Sequence, residues 1–449
     1  MNLRNTGMGP ERPLKIAVIG SGISGLSAAW LLSLRHDVWL FEQAPRLGGH
    51  SNTVEADGVQ VDTGFIVYNQ STYPNLTALF RHLGVPTKPS EMSFSVSMDG
   101  GRLEYSGTGL AGLLAQPANI ARPRFWQMLR ELLRFYRHAP FDIARIGEIT
   151  LAEYLDSKGY GAAFREDHLY PMAAAVWSSP AAEICNYPAA AFIRFCENHG
   201  LLRIAGRPIW RTVEGGSREY VKMLAERLEG KVVLGHAIRS IVRSPGSVEI
   251  VDRQGTSRRF DHVVIATHAD QALAMLSDTT ANERELLGTF AYSRNEAVLH
   301  SDPRLMPRRK RAWSAWNYLA ETQDDARKLS VTYWMNRLQS LPDERPLFVT
   351  LNPAMQPLPE TVKHRETYEH PLFDGAAMRA QRRLWTLQGV RNTWFCGAYF
   401  GAGFHEDGLQ AGLAVAEALG GVRRPWQVVD ESGRITILDL PRSRDLAAA

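Results

Sequence analysis

The sequence predicts an α/β protein whose nucleotide-binding domain is a doubly wound, Rossmann-like sheet. Three observations predict this fold. An apolar strand passes through a glycine-rich turn at residues 20–25 into a helix, the next strand ends on an acidic residue, and a second strand–glycine loop–helix unit occupies residues 393–419. The remaining residues form two insertions, for which we expect an α+β domain.

The composition is that of a globular protein. Of 449 residues, 45% are hydrophobic and 22% are charged, which excludes a disordered, collagen-like or multi-span membrane chain. A formal net charge of +4 over this length is too small for a dedicated nucleic-acid binder, so no nucleic-acid partner is predicted. Cys185, Cys196 and Cys396 are too few for a disulfide framework and have no metal-ligand spacing. We therefore predict no metal and a reducing, cytoplasmic location.

The first strand–turn–helix unit has the features of a dinucleotide site. Residues 14–19 are apolar except for Lys15, which is typical of a buried strand, and they are followed by the turn. Gly20 permits the tight turn, Gly22 lets a pyrophosphate approach the backbone, and Gly25 lets helix and strand pack closely. Glu42 ends the next strand 22 residues after Gly20. An acid at this interval accepts hydrogen bonds from a ribose and repels a 2′-phosphate.

Two further segments are expected beside the same ligand. Arg46, Gly48 and Gly49 add a cation and flexible backbone shortly after the second strand. Near the other end of the chain, Gly397 closes an apolar strand, and residues 401–412 lead into a helix. The N-terminus of that helix directs its dipole at an anionic group.

Together, residues 20–25, 42–49 and 397–412 resemble the FAD-binding elements of the amine oxidase and phytoene desaturase superfamily. The resemblance implies FAD as the cofactor. It also implies the domain organisation: an FAD-binding domain of residues 1–90, 204–291 and 391–449, and a substrate-binding domain of residues 91–203 and 292–390.

The same resemblance implies which residues bind the cofactor. They are Gly20, Gly22, Ile23, Ser24, Gly25, Glu42, Gln43, Arg46, Gly48, Gly49, His50, Gly64, Phe65, Ile238, Thr267, Gly397, Asp407, Gly408 and Leu409. Two histidines depart from the pattern of the superfamily. His50 stands where amine oxidases often carry arginine, and His268 stands where glycine or proline commonly follows Ala-Thr.

The insertions contain two basic segments. A helix is predicted over residues 125–137, with Arg130, Arg134 and Arg137 on a face distinct from its apolar stripe. Residues 304–311 carry five positive charges. Such segments are more often solvated than lipid-binding, so peripheral contact with the inner face of a membrane stays an alternative.

The insertions are also rich in aromatic residues. We predict that Trp177, Trp316 and Tyr318, with His405, line an apolar tunnel for a lipid or another apolar small molecule. No catalytic triad, paired-carboxylate or metal signature is present in the sequence. A flavin abstracts hydride itself, which leaves the protein to position a C–H bond and exclude water. His405 is the candidate for proton transfer, with loop ordering as the alternative, and His168 is expected to pair with buried backbone groups.

A narrower resemblance concerns the substrate. Residues 171–178, 198–202, 316–318, 333–336, 350–353 and 404–408 are similar to one branch of the superfamily, found beside cyclopropane-fatty-acid-synthase-type methyltransferases. The resemblance implies chemistry on a methylated unsaturated fatty acyl chain, including desaturation on the furan fatty acid route.

Four functions stay open at this point. The leading hypothesis is FAD-dependent dehydrogenation of a lipid chain by hydride transfer to flavin N5. Amine oxidation and flavin-dependent double-bond isomerisation are the enzymatic alternatives, and a non-catalytic flavin redox sensor is the alternative of a different class. No second strand-associated GxGxxG is present for NAD(P)H. The electron acceptor and the oligomeric state are left open.

Overall fold

The protein is described here from a computed structural model, which describes residues 12–177, 184–198, 200–203, 206–323 and 326–438. The strands are β1 Lys15–Ile19, β2 Asp37–Glu42, β3 Thr53–Ala56, β4 Val59–Asp62, β5 Tyr68–Asn69, β6 Thr87–Ser90, β7 Phe94–Met98, β8 Leu103–Ser106, β9 Trp210–Val213, β10 Val232–Leu234, β11 Ile238–Ser244, β12 Ser247–Asp252, β13 Ser257–Phe260, β14 His262–Ile265, β15 Tyr292–His300, β16 Trp316–Gln323, β17 Ala326–Trp334, β18 Phe348–Leu351, β19 Val362–Pro371 and β20 Thr393–Phe395.

The α-helices lie between these strands. They are α1 Ile23–Leu32, α2 Pro74–Leu83, α3 Leu110–Leu113, α4 Pro123–Asp142, α5 Leu151–Ser157, α6 Ala162–Phe164, α7 Tyr170–Trp177, α8 Ala189–Asn198, α9 Arg218–Glu226, α10 Ala269–Met275, α11 Ala281–Leu287, α12 Met335–Leu338, α13 Gly375–Gln381 and α14 His405–Gly420. Among the described residues, no helix combines the length and the apolar run that crossing a bilayer requires.

A parallel five-stranded sheet forms the centre of the first domain. Its strand order is β10-β2-β1-β14-β20, and every neighbouring pair is parallel. The chain runs outwards in one direction from β1 to β2 and returns to the other side of β1 with β14. The order therefore reverses between β1 and β14, and ligands of such sheets bind at the carboxyl ends of the strands beside this point.

The two distant ends of the chain meet on one face of this sheet. Helix α1 is buried along its whole length and packs against α14. A Cβ atom on Gly412 would lie 2.2 Å from the carbonyl oxygen of Ser24, and one on Gly408 would lie 2.8 Å from Ser24 Oγ. The two helices approach this closely because both contact positions on α14 lack a side chain.

A second sheet belongs to the inserted residues. Its order is β19-β15-β18-β17-β16-β7-β8, with antiparallel pairs except β16 and β7, which are parallel. Helices α4 to α8 form a separate apolar core, in which Phe135, Phe164 and Phe192 are fully buried. The doubly wound domain and the α+β domain predicted from the sequence are thus both present.

Candidate active site

The glycine turn after β1 forms an open cradle. Gly20 has a φ of +98°, and a Cβ atom there would lie 2.8 Å from the carbonyl oxygen of Ala266. No atom lies within 4 Å of the position that a Cβ atom on Gly22 would take. Helix α1 begins beside this space, has no side-chain cap and has no acid in its first turn. Its free N–H groups therefore suit a pyrophosphate.

Glu42 is held at the edge of the same cradle. Its carboxylate accepts hydrogen bonds from the Ser21 N–H and hydroxyl, at 2.9 and 2.6 Å, and from the Ala44 N–H at 2.8 Å. An ionised carboxylate has about four acceptor positions, so it retains capacity for a ribose hydroxyl. The geometry fits the role that the spacing from Gly20 predicted.

The loop after β2 packs on the glycine turn. The Gly48 N–H donates to the carbonyl oxygen of Ser21 at 3.1 Å, and Arg46 Nη1 donates to the carbonyl oxygen of Gly49 at 2.8 Å. The second glycine-rich segment thereby reaches the first, as its composition suggested.

Most of the predicted cofactor residues line one cavity. These are Gly20, Gly22, Ile23, Ser24, Glu42, Gln43, Arg46, Gly49, His50, Gly64, Phe65, Ile238, Thr267 and Gly397. Five others do not line it: Gly25, Gly48, Asp407, Gly408 and Leu409. Gly25 acts in packing, since a Cβ atom there would lie 1.9 Å from the carbonyl oxygen of Gly20.

The first turn of α14 is stabilised by two buried acids. Asp407 accepts a hydrogen bond from the Phe404 N–H at 2.7 Å and pairs with Arg434 Nε at 2.7 Å. Glu406 accepts the backbone N–H groups of Asn75 and Leu76, each at 3.0 Å, at the start of α2. Both side chains therefore hold backbone segments in place and do not line the cavity. Of the first turn of α14, it is His405 that lines the cavity wall.

His405 is neutral and weakly basic. Its ring stacks on Phe65 with centroids 3.8 Å apart, and its Nε2 lies 2.6 Å from Tyr220 Oη and 3.1 Å from Ser51 Oγ. Burial lowers the pKa of His405 to about 3. A group with this pKa accepts protons poorly at neutral pH. Its pKa and its contacts therefore favour a role for His405 in ordering the loop over a role in proton transfer.

His50 presents an unsatisfied nitrogen beside the same space. Burial, with repulsion from His370 and other neighbouring histidines, places the pKa of His50 well below its usual value. Its Nε2 is buried and has no hydrogen-bond partner among the described residues. An orphaned ring nitrogen of this kind fits contact with a bound cofactor, because a buried polar atom without a partner is costly.

An apolar chamber continues from this wall. Most of its lining comes from the inserted residues, namely Phe94, Leu129, Leu132, Met172, Phe195, Leu201, Trp316 and Tyr333, and Trp210 of β9 completes it. The whole cavity, from glycine turn to chamber, has a volume of about 1530 Å³. Of the predicted substrate residues, Trp316 and His405 line it.

The predictions that Tyr318 and Trp177 line the chamber have different outcomes. Tyr318 is 1% exposed and packs with Val96, Met98 and Phe125 in the core, so it does not line the chamber. It lies two residues beyond Trp316 on the same strand face, where the sheet is already covered by α4. Trp177 ends α7, and its side chain lies outside the described residues.

Sequence reasoning missed a polar group inside the chamber. His168 Nδ1 lies 2.9 Å from Tyr105 Oη, and His168 Nε2 lies 3.4 Å from Tyr136 Oη. All three side chains line the cavity. His168 therefore pairs with two phenols, and its predicted pairing with backbone groups is wrong. No local pattern could have found this, because Tyr105 and His168 are 63 residues apart.

The burial of His168 makes stability depend on pH. Burial lowers its pKa from 6.5 to about 4. As the pH falls, His168 takes up a proton in the unfolded chain before it does so in the folded chain. The stability that neutral, buried His168 contributes is therefore fully present above pH 6.5 and is lost as the pH falls towards 4. When the pH is lowered from 6.5 to 4, we expect the free energy of unfolding of wild type to fall by up to about 3 kcal/mol more than that of His168→Phe. Urea unfolding of both proteins across this range measures the difference, and parallel curves would contradict it.

A family model described as flavin-containing amine oxidoreductase matches residues 23–294, more than half of the chain. The chain belongs to this family. Family membership confirms FAD as the cofactor, and it confirms the predicted resemblance to the amine oxidases. It also places the protein in a class of FAD-dependent oxidoreductases. The match extends from the first turn of α1 into β15, so it includes Glu42, Gly48, Gly49 and the strand of Ile238, while Gly20 and Gly22 lie just before it.

One curated relative is the putative flavin-containing monoamine oxidase AofH of Mycobacterium tuberculosis. This relative and the present chain are 28% identical over 268 residues, which cover 57% of each chain. The chain thus matches little more than half the length of this relative.

Two solved structures show the same fold. A putrescine oxidase double mutant has a TM-score of 0.67 at 15% identity, over 91% of this chain and 99% of its own. The CLA-producing fatty acid isomerase from P. acnes has a TM-score of 0.61 at 17% identity, over 90% of this chain and 98% of its own. These likenesses confirm the predicted fold class.

Proposed function

We propose that the protein dehydrogenates a lipid, and that the substrate is a methylated unsaturated fatty acyl chain. The observation that carries the proposal is the continuous cavity of about 1530 Å³, which joins the glycine cradle to the apolar chamber. Pockets for drug-sized ligands have volumes of about 300–1,000 Å³. The cavity therefore has room for a dinucleotide and for a second, apolar ligand.

The acids around the cavity favour a neutral substrate over a cationic amine. Glu366 lies 3.6 Å from Arg46, and Glu369 lies 3.7 Å from Arg294. Glu42, the other carboxylate in the described lining, is bound by backbone N–H groups. A buried ammonium group needs an unpaired carboxylate or an aromatic cage to offset its desolvation, whereas an acyl chain needs neither.

Bound FAD supplies a hydride acceptor, and the residues of the chain position the substrate and exclude water from it. The chamber walls bury the acyl chain and exclude water from the reacting C–H bond. The wall near the cradle carries no charge on its histidines, because burial lowers the pKa of His370 to about 4 and that of His405 to about 3. In the proposed dehydrogenation an allylic carbon gives up a hydride to the acceptor, and its neighbour gives up a proton that leaves to solvent where Arg207 and Ile209 of the lining are exposed. The electron pair of the second broken C–H bond becomes the new double bond.

The acyl class has two supports beyond the cavity. The segments quoted above resemble the branch found beside cyclopropane-fatty-acid-synthase-type methyltransferases, and the fatty acid isomerase that shares this fold provides a precedent for a fatty acid in it. That precedent also favours isomerisation as a second candidate, because a hydride taken from the chain can be returned at another carbon.

Anaerobic mixing tests the proposal. We expect phospholipids or free acids with a methylated mono-unsaturated chain to bleach the visible absorption of the flavin, and saturated analogues to leave it unchanged. A product lighter by two hydrogen atoms indicates dehydrogenation, whereas a product of unchanged mass indicates isomerisation. The proposal fails if primary amines bleach the flavin and no lipid does.

A further inference from the structure

We propose that one exposed face of helix α4 docks on an anionic phospholipid bilayer and passes acyl chains into the cavity. This docking face consists of Trp126, Arg130, Leu133, Arg137 and Phe141. The inference rests on the proposed function, since it assigns the membrane as the source of the lipid substrate.

The docking face is a continuous stripe. At 3.6 residues per turn, its five residues fall within an arc of about 80°. Trp126 and Leu133 are each 50% exposed, and Phe141 is 79% exposed. Ile120 extends the stripe, because it is 56% exposed and its carbonyl oxygen accepts the Trp126 Nε1–H at 2.8 Å. Exposed aromatic and aliphatic side chains in one row suit insertion at a lipid interface.

The rest of α4 serves two other surfaces. Phe125, Met128 and Phe135 are buried on the side that faces the protein core. Between that side and the docking face, Leu129, Leu132 and Tyr136 line the cavity, as does Leu133 itself. The amphipathic pattern that holds α4 on the protein is therefore complete without the residues of the docking face.

The docking face borders the mouth of the cavity. Leu133 belongs to both, since it lines the cavity and is half exposed. Ile209, which is 72% exposed, and the exposed Arg207 also line the cavity. An acyl chain that leaves a bilayer at the docking face thus meets the apolar chamber directly and does not cross water.

The charges of the docking face complement anionic headgroups. Within the described ranges, neither Arg130 nor Arg137 has a carboxylate partner in an ion pair. The acids of the same helix are engaged elsewhere: Glu131 accepts the Gly161 N–H at 2.7 Å, and Asp142 pairs with Lys158 at 2.9 Å. Each free cation near an anionic surface strengthens binding by about fivefold. The same cations would repel one another if a second copy covered this face.

Flotation with vesicles tests the proposal. Wild-type holoprotein is expected to float with vesicles that contain phosphatidylglycerol and to bind at least about tenfold more weakly to pure phosphatidylcholine. Trp126→Ser/Phe141→Ser and Arg130→Glu/Arg137→Glu should each reduce binding to the anionic vesicles by about tenfold or more. The matched controls Leu34→Ser/Val242→Ser and Arg227→Glu/Arg259→Glu change exposed residues elsewhere and should bind like wild type.

Activity separates this proposal from the proposed function. Trp126→Ser/Phe141→Ser should oxidise lipid dispersed in detergent at the wild-type rate and lose turnover on lipid held in anionic vesicles. If dispersed lipid reduces the flavin of wild type but no vesicle binds, the docking face is refuted and the proposed function stands. If vesicles bind but no lipid reduces the flavin, the proposed function falls and the docking face survives. A dimer that the same substitutions dissociate, without vesicle binding, would assign the face to a second copy and overturn the proposal.

Discussion

Replacing Gly22 with valine is expected to give a folded protein that retains no FAD. The backbone at Gly22 has φ −63° and ψ 177°, an extended conformation that valine adopts without strain. A Cβ atom there meets no protein atom within 4 Å, so the fold has room for the new side chain. That same space is where a pyrophosphate must approach the N-terminus of α1. The readouts are the flavin released on denaturation, per chain, and the thermal unfolding of the apoprotein.

Gly375→Val is the matched control for Gly22→Val. Gly375 also begins a helix, and the nearest atom to its added Cβ is Arg379 Nη1 at 3.3 Å, the end of a flexible side chain. We expect this variant to retain FAD like wild type. A Gly22→Val protein that carries as much FAD as the control would show that the cradle does not bind the pyrophosphate.

Filling the apolar chamber is expected to abolish most lipid turnover while the FAD content stays unchanged. Leu129 and Met172 lie in the chamber wall, away from the glycine cradle. Two added indole rings displace about four methylene groups of a bound chain, each worth about 0.8 kcal/mol. Leu129→Trp/Met172→Trp should therefore slow reduction of the flavin by subsaturating lipid by about 200-fold.

The control for the filled chamber is His138→Trp, which adds an indole ring to an exposed position of the same helix. Anaerobic stopped-flow reduction compares the two proteins with wild type, and dithionite reduction shows that the flavin itself is unchanged. Equal rates for the filled chamber and the control would exclude this chamber as the lipid site.

Local signals made the cradle predictable. The strand, turn and helix at residues 15–32 are contiguous, and Glu42 follows at a spacing fixed by one β–α–β unit. The meeting of α1 and α14 was predictable only through the resemblance, since nothing local in residues 401–412 specifies a partner almost 400 residues away. Gly408 and Gly412 carry that contact, and to sequence alone they are two glycines in a helix.

Features that depend on distant pairing were not predictable. Strand β7 lies parallel to β16 with Ser95 opposite Asn317, and no short-range pattern encodes such a register. Periodicity places Trp316 and Tyr318 on one strand face, so it could not separate a chamber residue from a core residue. The exposure of Trp126 and Phe141 was not predictable for a related reason, because periodicity alone does not say which apolar residues the fold leaves exposed.

Equilibrium binding of flavins to the apoprotein tests the central claim most directly, because that claim is one FAD held between the glycine cradle and the first turn of α14. Glu42 and the N-terminus of α1 are placed to bind the adenylate half of the cofactor, which FMN lacks. We expect one FAD per chain and at least about tenfold weaker binding of FMN, since hydrogen bonds to charged groups contribute about 1.5–3 kcal/mol each. No flavin binding, or equal affinity for FAD and FMN, would contradict the account.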